Sequence, residues 1–253
     1  MAKRDEIIAF CDELLDIDSF EDYGPNGLQV PGAEEVSSIA TGVTANSDFL
    51  AAAVDAGAGL AIVHHGLFFG DGPRALTPQL AERLRIVLEA GTSLAGYHLP
   101  LDAHREIGNN ALLCQRLGLD QDARPFAEVK GRPIGVVGRA PQALSVGELA
   151  GRVGELLGRE PLVFEDGPVE IETVGIVSGS GASTIQEAVA LGLDAFLTGE
   201  PAEHVMGDAR EGGLHFIAAG HYATETFGVR RLGELAAERF DVEHRFIDVP
   251  NPV

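Results

Sequence analysis

The stretch "VSSIATGVTANSDFLAAAVDAGAGLAIVHHG", Val36 to Gly66, decides the fold. "VSSIATGVT" reads as a strand, Ser47 to Ala56 carries the apolar spacing of an amphipathic helix, and "GLAIVHHG" is a second strand. Leu60 to Val63 is apolar without alternation, the pattern of a strand covered on both faces. Strand, helix and strand in this order make the unit of an α/β sheet, whose ligands collect beyond the carboxyl ends of the strands. His64 and His65 stand at such an end. Neighbours in a regular strand face opposite sides, so both imidazoles reach one ligand only if the chain curls there, which Gly66 is expected to permit.

The same alternation runs outward in both directions. Ile7, Ile8, Cys11, Leu14 and Leu15 give the stripe of a first helix. Pro78 to Ala90 is expected as a helix, "TSLAGYH" as a strand, and "NNALLCQRLGL" as a helix capped by Asn109 or Asn110. Further strands are expected at "PIGVVG", "LVFE", "TVGIVSG", "AFLTG", "HFIAAGH" and "VEHRFID", with helices at 146–157, 184–191, 203–211 and 225–240. In "YHLPLD", Pro100 is expected to hold an extended turn and to disfavour helix at Leu99.

In 253 residues, 45% of them hydrophobic, there is material for a full core. No apolar run approaches the ~18 to 20 residues of a membrane span, and charges interrupt the N-terminus where a signal peptide would be apolar, so a cytoplasmic protein is expected. Lys and Arg number 18 against 39 Asp and Glu, a formal charge of −21 that argues against nucleic-acid or anionic-membrane binding. Cys11 and Cys114 sit in separate helical patterns and are expected as packed free thiols.

A weak internal repeat crosses the chain. A shift of 135 lays Val36–Gly66 on "IETVGIVSGSGASTIQEAVALGLDAFLTGEP", element on element, and sets Gly199 and Glu200 opposite His64 and His65. A shift of 123 sets "SLAGYHLPLD" on "FIAAGHYATE", pairing His98 with His221 and Asp102 with Glu225. Polar groups therefore recur at equivalent strand ends. His64, His65, Asp102, His221 and Glu225 offer three imidazoles and two carboxylates, too many donors for one closed tetrahedral zinc site and too few to saturate two ions. A carboxylate can bridge two cations, and mixed N and O donors without sulfur suit zinc, iron or manganese.

"GPNGLQV" (Gly24–Val30), "IVHHG" (Ile62–Gly66), "YHLPLDAH" (Tyr97–His104), "TGE" (Thr198–Glu200) and "GHYATE" (Gly220–Glu225) together resemble the Nif-like dinuclear metal-centre proteins, the GTP cyclohydrolase 1 type 2 homologues. The resemblance implies an α/β fold of two intertwined, duplicated three-layer lobes with mixed sheets, here residues 1–124 and 125–253, with no inserted middle domain. It also implies a toroidal homohexamer in which each subunit binds two divalent metal ions through His64, His65, Asp102, His221 and Glu225, with Glu225 bridging. His98 falls beside the metals as the catalytic, proton-relaying residue, and Glu200 on the cavity wall. His104, His204, His215 and His244 are expected to titrate on surfaces or to pack. The implied activity is metal-dependent hydrolysis of GTP or a related nucleotide-like small molecule. The alternative is a non-catalytic metal-binding scaffold or regulatory protein. No P-loop is present, and the basic residues nearest in sequence to the ligands are Arg74 and Arg105.

Overall fold

A computed structural model describes residues 1–70 and 75–253. The chain divides into two compact units, Met1–Leu101 with Gly228–Pro250, and Asp102–Phe227 with Asn251–Val253. The chain thus leaves the first unit, builds the second, and returns to the first before its last three residues.

In the first unit the strands Glu243–Phe246, Ser38–Thr44, Leu60–His65 and Ser93–Gly96 run parallel in that order, and Gly27–Val30 closes the sheet antiparallel to Ser93–Gly96. The Ser38–Thr44 to Leu60–His65 crossover is the helix Ser47–Asp55, whose cap Asn46 accepts from Phe49 N. Phe49, Leu50 and Ala53 on this helix pack with Ala61, Val63 and Leu94 of the sheet in one buried cluster. Burying that face, at about 25 cal/mol per Å² of apolar surface, is what holds the strand ends in place. Helix Pro78–Ala90 follows the expected bounds, from the cap Thr77 with Pro78 in its first turn to Gly91 in the left-handed region.

The second unit repeats the motif. Its strands Ile171–Val177, Ala195–Thr198 and His215–Ala218 are parallel, flanked antiparallel by Val136–Leu144 and Leu162–Phe164. The shift of 135 holds residue for residue, since Ile39 pairs with Leu60 where Val174 pairs with Ala195. In the last strand, however, Leu60 pairs with Ser93 where Ala195 pairs with His215, so Ser93 corresponds to His215, a shift of 122. The shift of 123 applies only beyond the strand, where Gly220, at φ +99°, supplies the extra residue.

Other expectations are corrected. Leu99–Ala103 is helical, because Pro100 lies in the first turn, where its missing N–H costs no intrahelical bond. Gly108, not Asn109 or Asn110, is the cap of Asn109–Arg116, and both asparagines are buried with their side chains bonded elsewhere. The helix expected at 225–240 is Thr226–Phe240, and a separate short helix not expected, His221–Thr224, precedes it. Gly27–Val30, unread in the sequence, is an edge strand. Gly66 is needed for space rather than for a curl: it has no positive φ, and a Cβ there would lie 2.2 Å from Gln29 Nε2.

Candidate metal centre

In the first unit, His64 and His65 end the strand Leu60–His65, and His98 follows the strand Ser93–Gly96. Their ring centroids lie 4.7 Å (His64–His65), 5.1 Å (His64–His98) and 5.6 Å (His65–His98) apart. Each ring offers a nitrogen within 4.8 Å of one from each of the others. The two adjacent histidines thus do converge.

What fixes these rings is the partner of Nδ1. His64 Nδ1 donates to the carbonyl oxygen of Tyr97 at 2.8 Å, and His98 Nδ1 to Asp22 Oδ1 at 2.7 Å. Carbonyl and carboxylate oxygens only accept, so both rings carry a proton on Nδ1, and in the neutral ring the lone pair is on Nε2. His65 Nδ1 lies 3.2 Å from Thr44 Oγ1, its neighbour across the ladder. Asp22 is itself locked: Oδ1 also accepts from Tyr23 N, and Oδ2 from Asn26 Nδ2 and Leu99 N. Burial pushes the Asp22 carboxyl up, but the hydrogen bond and charge of the His98 imidazolium, with the hydrogen bonds of Asn26 and Tyr23, outweigh it and hold it below its usual value. Tyr97 is anchored in turn, its hydroxyl donating to Asp12 Oδ1 at 2.7 Å.

In the second unit, His221 opens the short helix after His215–Ala218, and Glu225 follows that helix. His221 Nε2 lies 3.1 Å from Glu225 Oε2, and its Nδ1 bonds Glu200, whose other oxygen accepts from Ser180 Oγ at 2.9 Å. Burial pushes the His221 imidazole down, but the bonds and charges of Glu225 and Glu200 prevail and raise it to about 9. Two carboxylates around one half-buried ring make a place that favours a cation. Asp102, 5% exposed, accepts from Asn109 Nδ2 at 2.8 Å and Ser178 Oγ at 3.1 Å. Asn110 ties the same turn down, donating to Ile134 O and accepting from Ser178 N.

The donor chemistry fits divalent ions. Imidazole Nε2 atoms oriented from behind by carboxylate or carbonyl, with buried carboxylates beside His221 and at Asp102, are the N and O ligands of zinc, iron or manganese sites. Sulfur takes no part: Cys11 and Cys114 are fully buried, and burial pushes both thiols up to about 12. The remaining histidines are employed structurally. His104 Nδ1 accepts from Ile107 N, His204 pairs with Asp208, His215 bridges Gly167 N and Pro168 O, and His244 bonds Thr41. Arg74 lies outside the described residues, and Arg105 donates to Asp122 O. Sequence reasoning missed Asp22, Thr44 and Ser178, and it gave Glu200 no task as the anchor of His221. For Asp22 the available signal was its place two residues before "GPNGLQV".

The chain matches the family model Duf34/NIF3 (NGG1p interacting factor 3) over residues 2–252. It is 42% identical over 247 residues to a Deinococcus radiodurans protein named GTP cyclohydrolase 1 type 2 homolog, covering 98% of this chain and 93% of that one. Among solved structures, the protein ybgI, described as of unknown function, superposes with TM-score 0.94 at 42% identity over the whole of both chains. The protein TTHA1606 of Thermus thermophilus does so with TM-score 0.90 at 36% identity, again over both chains in full.

Proposed function

The chain belongs to the Duf34/NIF3 family, and from that premise we propose that it is a metal-dependent hydrolase acting on GTP or a related nucleotide, with two divalent ions held by His64, His65, Asp102, His221 and Glu225. The observation that carries the reading is the fixing of rings through Nδ1. His64 and His98 each give Nδ1 to an acceptor-only oxygen, which makes Nε2 the nitrogen able to act as ligand or base when the ring is neutral. His221 is oriented likewise through Nδ1 by Glu200 and presents Nε2 to Glu225, a carboxylate proposed as a ligand beside it.

Divalent ions, when bound, supply Lewis-acid polarisation and a water acidified toward neutral pH. The chain's own residues do the rest. Asp22 holds His98 with Nε2 as the basic atom, so His98 takes up a proton at Nε2 while the charge that develops on its ring is offset by the carboxylate behind it. Glu200 does the same for the orientation of His221. Tyr97 and Thr44 keep the His64 and His65 rings from rotating, so that no reorganisation is needed at the moment of reaction. Assembly as a homohexamer and a cytoplasmic location accompany this reading.

Steady-state turnover tests it. Protein loaded with zinc, iron or manganese is expected to hydrolyse GTP or another nucleotide from a broad panel, and His64→Ala and Glu225→Ala are expected to lose both turnover and metal. Full metal occupancy with no turnover on any nucleotide or phosphoester would leave a metal-binding scaffold instead, and metal content near zero after chelator-free purification would defeat the site itself.

A further inference from the structure

Most aromatic side chains of this protein are buried or partly buried. Among the described residues the exposed aromatics are Tyr23, Phe68 and Phe69, at 48%, 37% and 37% of their surface. All three stand at one place. The Phe69 ring centroid lies 5.2 Å from that of His98 and 5.9 Å from that of His65, and the Tyr23 ring 6.1 Å from His98. The arrangement is built into the backbone: Gly70 N donates to Tyr23 O, and a Cβ on Gly24 would lie 2.2 Å from Phe68 O. Only glycine lets the two segments come this close. The bonds of Asp22 to Tyr23 N and to His98 Nδ1 then tie the position of Tyr23 to that of His98.

Exposed apolar surface is ordinary when scattered singly and informative when gathered. Here the exposed aromatic complement of the described residues is gathered against the imidazole cluster, where a substrate must lie. Aromatic faces exposed beside catalytic groups recognise other π-faces, without demanding a particular hydrogen-bond pattern. We infer that Tyr23 and Phe69 form a stacking platform for a planar heteroaromatic ring of the substrate, set beside His98. The inference rests on the proposed function for its reaction but not for its binding. The platform takes the ring whether or not metal is present, and it assigns the selectivity of the site to a purine-like ring rather than to a phosphate group.

The test is a titration of 2-aminopurine riboside, whose fluorescence falls on stacking, into the full chain with and without added Mn²⁺. The chain has no Trp to interfere. Saturable quenching is expected for the wild type in both conditions. Phe69→Leu and Tyr23→Leu are each expected to raise Kd about 5- to 150-fold, which corresponds to about 1 to 3 kcal/mol of stacking. Phe69→Trp should restore affinity, read by competition with unlabelled guanosine in a calorimeter. Metal content should stay at the wild-type value in all three. Wild-type Kd in both Leu variants, or no quenching by the wild type, would overturn the platform even if the metal site and its turnover stood. Loss of self-association in Phe69→Leu, with no riboside bound by the wild type, would also overturn it and make the patch a protein contact. Stacking intact in a protein that holds no metal would overturn the hydrolase reading alone.

Discussion

Gly179 to Ala is the substitution that displaces the Glu225 carboxylate without removing it. Gly179 has φ +62°, and a Cβ there would lie 2.1 Å from Glu225 Oε1 and, less tightly, 3.1 Å from His221 Nε2. Ordinary contact begins at 3.4 Å, so the carboxylate must withdraw by about 1.3 Å. Metal–ligand distances in a working site hold to about 0.2 Å. The carboxylate, at the end of a flexible side chain, gives way more easily than the backbone, so the fold survives while the donor is displaced. Gly213 supplies the control, since its φ is +66° and nothing lies within 4 Å of its Cβ position. Both alanines carry the same left-handed strain, about 1 to 2 kcal/mol, or about 2 to 8 °C in Tm for a chain of this size. In chelator-treated protein the two variants are therefore expected to melt alike. In metal affinity they are expected to differ, with Gly179→Ala weakened at least about 10- to 100-fold and Gly213→Ala unchanged, as read by elemental analysis after dialysis against a metal buffer. Equal metal content in Gly179→Ala and the wild type would refute the assignment of Glu225.

Other consequences are open to measurement. Asp22→Leu removes the acceptor of the His98 Nδ1 proton at similar size. It should lower turnover about 10- to 100-fold with metal content unchanged, and it should change the His98 tautomer in ¹⁵N NMR, whereas an unaltered tautomer would count against the orienting role. His244 is depressed by burial, with Arg230 adding to the effect and Glu234 opposing it. Below about pH 6.5 the unfolded chain takes up a proton that the native state refuses, so stability falls as pH falls through that value. Denaturant midpoints between pH 5 and 8 should show this slope in the wild type and a shallower one in His244→Gln. Ser145 and Glu148 form a reciprocal capping box at the helix Val146–Leu157. Ser145→Ala should cost about 1 kcal/mol, about 2 to 4 °C in Tm, and leave metal binding untouched.

The α/β order, the duplicated strand, helix and strand, and the convergence of His64 with His65 were legible because each is written in local periodicity or in a short motif. The helix Pro78–Ala90 is a full case: cap, proline and closing glycine all lie within the segment they delimit. The anchors were not legible, because they come from far along the chain. Asp22 reaches His98 across 76 residues, and the oxygen that orients His64 is the backbone carbonyl of Tyr97, which any residue would supply. Leu99–Ala103 misled for a narrower reason: proline forbids the helix interior but suits its first turn, and in a five-residue helix the first turn is nearly the whole.

The repeat also explains why the two units present different chemistry from the same framework. His64 and His65 correspond to Gly199 and Glu200, and the strand pairing keeps that register, Gly42 pairing with Val63 where Val177 pairs with Thr198. A histidine at Gly199 has no room, since even a Cβ there would lie 2.6 Å from Gly179 O and 2.7 Å from His221 Cα, both backbone atoms. That crowding follows from the hydrogen bonds Gly199 N to Gly179 O and Gly220 N to Gly199 O, which draw three strand ends together. The second unit therefore cannot offer a histidine pair at this strand end. It places an acid at Glu200 instead, and that acid orients the histidine of the next strand end. In the first unit the corresponding anchor, Asp22, lies outside the repeated segment. Each unit thus reaches an Nδ1-anchored imidazole after its last parallel strand, by a different carboxylate, because the approach of the backbones in the second unit leaves no other residue but glycine at 199.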